Sequence, residues 1–303
     1  MSSAILNQAV IMLLLILTGT GCYKSGIISE NGSKELSKFV LTIVNPVVIF
    51  TAYQMEFRAE LIKGFISAVI LSVVAYIIAI LVSYIVIRKK DGRETEIERF
   101  SCIYSNCAFM GIPLVQSIMG DEGVFYLTAF VTVFNILVWT HGVIMISGIR
   151  SFKSAVKAVT SPSIIAVAAG LVCFGLKLRL PSLVSDTLGF IGAMNTPLAM
   201  IVSGATIART DILKALKNPR IYYVTLITLI VIPLLTTGVF RLIPANEAPE
   251  LAVLIAMSAP AAAICTMQCL NYGKNSLYSS EIFAVTTLVS TLTMPLIVYL
   301  YKI

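Results

Sequence analysis

The chain has 303 residues, 58% hydrophobic and only 12% charged, whereas charged side chains make up about a quarter of a soluble globular domain. Mean hydropathy is +0.93, so composition excludes a soluble protein and reads as a polytopic membrane protein. The net charge of +7 calls for no nucleic acid, because Lys and Arg gather between the apolar runs as membrane topology requires.

Apolar runs of the ~20 residues that a helix needs to cross a bilayer recur along the chain. We read ten: Ala4–Cys22, Glu35–Tyr53, Leu61–Ile87, Phe100–Met119, Gly123–Ile149, Pro162–Leu176, Val184–Ala208, Arg220–Leu242, Pro249–Leu270 and Ser276–Leu300. The first lacks a basic leader and a small-residue cleavage site, so it is expected to be retained as a span. The connections are short, and the one rich in charge runs from Arg88 to Arg99. With the N-terminus outside, sixteen of the 22 Lys and Arg residues fall on the cytoplasmic side and six, Arg58, Lys63, Lys177, Arg179, Arg241 and Lys302, on the other. That bias predicts a plasma-membrane protein with both termini extracytoplasmic.

The fourth run carries Asn106-Cys107-Ala108-Phe109-Met110-Gly111-Ile112-Pro113-Leu114. Pro113 has no N–H for the carbonyl four residues back and its ring crowds that turn. Gly111 adds backbone freedom, and Asn106 offers a donor and an acceptor. This pattern predicts a discontinuous helix; a kink serving only packing is the alternative. The ninth run is interrupted in the corresponding place, at Ser258-Ala259-Pro260. Asn45-Pro46 in the second run matches Asn195-Thr196-Pro197 in the seventh, and Gly120 matches Gly273. Five spans per repeat is odd, so the second copy must run inverted, residues 1–150 against 151–303. Inverted repeats with broken helices are the architecture of secondary transporters. The expected fold is therefore all-α, ten transmembrane helices, with broken helices four and nine crossing at mid-membrane.

At such a crossing, half-helix N-termini present unpaired N–H groups and partial positive charge, a natural seat for a carboxylate. The candidate substrate-binding residues are Asn106, Gly111, Pro113 and Pro260, with Asn45, Pro46, Asn195 and Thr196 as lining or as glue between helices. Asn7, Gln8 and Gln268 are weaker candidates. Glu281 reads as a solvated helix-terminal acid or a coupling site, and His141 as a packing histidine or a proton relay. Six scattered cysteines without a Cys-x-x-Cys pair, and a single histidine, argue against a metal site. Neither a Gly-rich phosphate loop nor paired carboxylates are found, so no cofactor and no enzyme activity are expected.

The Asn106–Leu114 stretch resembles the fourth-span signature of the auxin efflux carrier family, which includes plant auxin exporters and bacterial malate permeases. Looser likenesses are Asn45-Pro46-Val47-Val48-Ile49-Phe50, Thr196-Pro197-Leu198-Ala199 with Gly204-Ala205, and the stretch from Ala259-Pro260 to Thr286-Thr287. The resemblance implies a scaffold and a transport unit, often in a homodimer, and a solute site where spans four and nine cross, with Asn106 at the solute carboxylate. Ser105 stands where the plant carriers have proline, Ala261 where they have glutamine, and Arg150–Ser161 is short where many have a long loop. A small organic anion such as malate or another dicarboxylate is therefore expected rather than auxin, carried by alternating access. Coupling to H+ or Na+ and potential-driven uniport are all compatible with these residues. The alternative is a non-transporting sensor or scaffold that keeps the carrier fold.

Overall fold

The structure, a computed structural model, describes residues 2–90, 92–149, 156 and 160–301. The expected topological charges Arg150, Lys153, Lys157 and Lys302, and the boundary between the two expected repeats, lie outside the described residues. Each predicted apolar run is mostly helical among the described residues. The elements are α1 (Ser2–Lys24), α2 (Glu30–Phe39), α3 (Asn45–Thr51), α4 (Ala59–Val86), α5 (Thr95–Ile103), α6 (Ile112–Leu137), α7 (Val143–Ser147) and α8 (Pro162–Gly175). They continue as α9 (Ser182–Ala193), α10 (Asn195–Ala208), α11 (Ile212–Leu216), α12 (Pro219–Leu226), α13 (Ile232–Phe240), α14 (Glu247–Met257), α15 (Ile264–Asn271) and α16 (Ser276–Tyr301). Among the described residues, five helical stretches are long and apolar enough to cross a membrane: Ala59–Val86, Cys107–Ser147, Ser182–Ala208, Pro219–Phe240 and Ser276–Tyr301.

Among the described residues, four π turns interrupt these helices: Val40–Val44, Cys107–Gly111, Val138–Gly142 and Ile227–Val231. Three of them stand just before a proline near the start of the next helix, Pro46, Pro113 and Pro233. Proline clashes with the carbonyl four residues back. A π turn reaches five residues back, as Ile112 N–H does to Cys107 O, and so accommodates the ring without breaking the helix.

This corrects the expected break at Pro113, which lies inside continuous helix. The chain instead leaves helix at Tyr104–Asn106, between α5 and the turn that opens at Cys107. The second break is where the sequence places it, at Ser258–Ala263 between α14 and α15. Gly120, at φ 64° and ψ −154°, is non-helical and divides α6 into two helices, 112–119 and 121–137, in a backbone region that only glycine enters cheaply. The charged connection also ends earlier than expected: α5 begins at Thr95, and Glu98 is buried.

Two sets of helix contacts stand out, and α1 packing on α16 joins them. In one, α1 lies along α10, and α3 against α8 and α9. In the other, α4, α6 and α14 pack on one another, and α16 on α12, α14 and α15. Tyr53, Phe65, Phe125 and Phe174 form an aromatic cluster joining α3, α4, α6 and α8, with ring centroids 4.8 Å apart for Tyr53–Phe125 and 5.3 Å for Phe125–Phe174. Tyr53 also hydrogen-bonds Thr128.

Candidate solute site at the crossing of two helix breaks

The two breaks meet. Asn106 N–H donates to Pro260 O at 2.6 Å and Ala262 N–H to Tyr104 O at 2.9 Å, so Ser105 and Ala261 form an antiparallel bridge. Ser105 Oγ donates to Ala256 O at 2.7 Å, and Thr286 Oγ1 accepts from Ala261 N–H at 3.2 Å. These bonds satisfy backbone groups that leave the helical ladder at each break. Lipid could not do so, which is why the breaks pair with each other inside the protein.

A cavity of about 270 Å³ opens against this bridge. The helix N-termini after both breaks line it, Cys107–Phe109 in one first turn and Ala263–Ile264 at the start of α15, as does the start of α8 at Ser161–Ser163. First-turn N–H groups have no partner within their own helix and carry the positive end of the helix dipole. Asn106 lines the same cavity at the N-cap position, yet its side chain makes no capping bond. Its Nδ2 is buried without a partner among the described residues. Among the described residues, no Lys, Arg, Asp or Glu lines it. The arrangement can hold an anion through dipoles and an amide, without a salt bridge.

A second cavity of about 500 Å³ is lined by Gln8, Thr51, Gln54, Pro113, Gln116, Asp121, Ser185 and Thr196, among others. The two cavities sit at opposite ends of the same elements. Before and along α3, the first touches Leu41 and Thr42 and the second Val48 to Gln54; after the break, the first touches Cys107–Phe109 and the second Pro113 to Asp121. Asn45 lies on the stretch between them, fully buried, and neither of its amide atoms has a partner among the described residues. The same holds for Asn195, next to Thr196. A buried unpaired polar group costs about 1–3 kcal/mol, so these amides mark a place where water or solute belongs.

The predicted residues thus divide. Asn106 lines the first cavity; Pro113 and Thr196 line the second; Pro260 supplies the carbonyl that holds Asn106. Gly111 packs toward Ala256, where an added Cβ would sit 3.7 Å from its Cα, and lines neither cavity. Pro46 follows a π turn, one residue after Asn45. Gln8 does reach the second cavity, whereas Gln268 is tied by Nε2 to Val138 O at 3.3 Å. Glu281, expected as a solvated acid, is only 5% exposed. Sequence reasoning missed Asn135, Trp139, Gln54 and Gln116 as lining residues; an amide inside an otherwise apolar run was the available signal.

A family model described as "Membrane transport protein" matches residues 4–154 and 146–298. The chain belongs to this family. It is the auxin efflux carrier group whose motifs the sequence resembles, and membership makes the protein a multi-pass membrane transporter rather than an enzyme. A curated relative from Methanothermobacter thermautotrophicus, described as an uncharacterized transporter, is 26% identical over 298 residues, 94% of each chain.

Proposed function

We propose that the protein is a secondary transporter of small organic anions, carboxylates such as malate or another dicarboxylate, working by alternating access across the plasma membrane. One observation carries this reading: the helix N-termini after both breaks and the Asn106 amide, unpartnered among the described residues, converge on one cavity that no described charged residue lines. Dipoles and an amide hold an anion weakly enough to release it, which suits a carrier. In this reading the ten apolar runs are ten spans in two inverted five-helix repeats, 1–150 and 151–303. Both termini are extracytoplasmic, so the Asn106 cavity faces the cytoplasm and the larger one the outside. The bilayer surrounds the exposed helices. α9, which buries none of its residues and exposes Leu183 and Phe190, faces lipid or the second copy of a homodimer.

Asn106→Ala tests the site. Hydrogen bonds to charged groups contribute about 1.5–3 kcal/mol, so carboxylate affinity should fall roughly tenfold or more in a thermal-shift or uptake assay. The melting temperature without solute should hardly move, because Nδ2 has no partner to lose. Wild-type affinity in this variant would remove Asn106 from the site. Binding without flux in proteoliposomes would favour a sensor over a carrier. Topology has its own test: cysteines at Ser2 and Lys302 should both react with an impermeant reagent added outside, and labelling of only one would refute an even number of spans.

A further inference from the structure

Of the four π turns among the described residues, Val138–Gly142 alone is not followed closely by a proline. Such turns recur at functional sites, and this one contacts both broken helices. Tyr104, the first residue of one break, is fully buried, and its hydroxyl lies 3.0 Å from Leu137 O and 2.8 Å from His141 Nδ1. Gln268 on α15, beyond the other break, donates to Val138 O. Gly142 lies so close to Phe100 and Tyr104 that an added Cβ would sit 2.9 Å and 3.2 Å from their rings. Trp139, in the same turn, lines the Asn106 cavity.

We propose that His141 is a proton-binding site whose occupancy is relayed through Tyr104 to the helix crossing, making the proton a co-ligand of the Asn106 cavity; this rests on reading that cavity as a solute site. The relay follows from counting hydrogens. The Tyr104 hydroxyl has one proton and two acceptors within reach, Leu137 O and, when it is unprotonated, His141 Nδ1. In the neutral tautomer that carries its hydrogen on Nε2, Nδ1 accepts from Tyr104, and a proton taken from water there turns that nitrogen into a donor. The Tyr104 hydroxyl must then donate to Leu137 O and accept from His141. No other bond forms or breaks. Tyr104 offers its own carbonyl to Ala262 N–H across the bridge, so a change in how its ring is held acts on the paired backbone beside Asn106.

The titratable and charged groups around His141 are few. Tyr104 faces it from the break. Tyr84 faces it from α4, with ring centroids 6.5 Å apart, and Arg99 of α5 stacks over that ring at 4.2 Å. α15 brings the neutral Gln268 and the buried thiols of Cys265 and Cys269. The ion pairs among the described residues leave His141 without a carboxylate partner. A protonated imidazole here adds positive charge beside an anion cavity, so solute binding strengthens as pH falls.

The chain has one histidine and one tryptophan, which makes the test spectroscopic. The full-length protein is placed in nanodiscs, and His141 is titrated by NMR of labelled histidine while Trp139 emission is followed over the same pH range. Wild type should show one emission step with the midpoint of His141; His141→Gln should show none. Tyr104→Phe should leave the histidine titrating but shift its midpoint and flatten the emission step. Malate, measured by calorimetry, should bind about fivefold tighter at pH 6 than at pH 8, the low end of coupling between linked sites, and equally at both in His141→Gln. An emission step that survives in His141→Gln, or is unchanged in Tyr104→Phe, overturns the proposal. Should malate bind at neither pH, the solute assignment fails while the emission step still decides the proton site. Should His141→Gln fail to fold, Tyr104→Phe decides it alone.

Discussion

Gly204→Val is expected to prevent the protein from being recovered as a monodisperse species, and Gly204→Ala to lower its melting temperature sharply. A Cβ at Gly204 would sit 2.0 Å from Ile16 O and 2.9 Å from Thr20 N, both backbone atoms of α1. From the other side, a Cβ at Gly19 would sit 2.1 Å from Ile201 O. Helices in a membrane gain nothing from burying apolar surface against each other rather than against lipid, so they associate by close backbone approach at small residues. Here the approach also carries a hydrogen bond, Thr20 Oγ1 to Gly204 O at 3.0 Å. A backbone clash cannot relax by a rotamer change, and the loss belongs with the exceptional substitutions that cost more than about 4 kcal/mol. Gly21→Ala in the same helix is the control. Nothing lies within 4 Å of the added methyl, and alanine is the better helix former by about 1 kcal/mol. Thermal unfolding of the purified variants checks this. Gly204→Ala and Gly19→Ala melting with wild type would show that α1 and α10 are not locked together as described. The lock bears on function because α1 supplies Gln8, and α10 Thr196, to the larger cavity.

What could be read in advance depended on whether the cause was local. The apolar runs were legible because lipid leaves a segment no other composition. The break at Ser258–Ala263 was legible because Pro260 stands in it. The break at Tyr104–Asn106 was not, because none of its three residues disfavours helix strongly. What opens the helix there is the second break, through Asn106 N–H to Pro260 O and Ala262 N–H to Tyr104 O, partners more than 150 residues away in sequence. Pro113 gave a strong local signal that the π turn at Cys107–Gly111 absorbed. Asn106 was found all the same, since an amide in an apolar run needs a reason wherever the break falls. Trp139 and Asn135 were missed as lining residues because a π turn and the roll of a long helix decide which way they face, and neither shows in sequence. Gly19 and Gly204 matter through each other's helix. The short α11 was also unforeseen; it is capped by Asp211, whose Oδ1 accepts from Lys214 N–H at 3.0 Å.

Arg220→Met is expected to destabilise the protein more than Glu98→Gln does, although the two residues form one ion pair. Arg220 Nε donates to Glu98 Oε1 at 2.9 Å and Nη2 to Oε2 at 2.6 Å, a two-pronged contact. Tyr278 of α16 adds a third bond to Oε1 at 3.0 Å. The side chains differ in exposure, 23% for Arg220 and 2% for Glu98. Without Arg220 the carboxylate stays buried with one neutral donor, and stranding a charge in this way costs about 3–5 kcal/mol. Without the Glu98 charge, the guanidinium still reaches water and stacks over the Tyr223 ring at 4.5 Å, while glutamine keeps an oxygen for Tyr278. The pair also offsets a local misfit, since Arg220 sits in the first turn of α12, where the helix dipole disfavours a cation. Its position gives it a consequence at the site: Glu98 is on α5, whose far end runs into the break at Tyr104, so the pair fixes how that half-helix enters the crossing. Arg220→Met should therefore also weaken carboxylate binding. Combining it with Glu98→Leu should restore most of the lost stability, because apolar replacements of a buried ion pair are often neutral, with the Tyr278 hydroxyl left short of an acceptor. Melting curves of the two single variants and the double variant decide the matter. Equal losses from the single variants, or a double variant no better than Arg220→Met, would mean that the pair acts by something other than burial of charge.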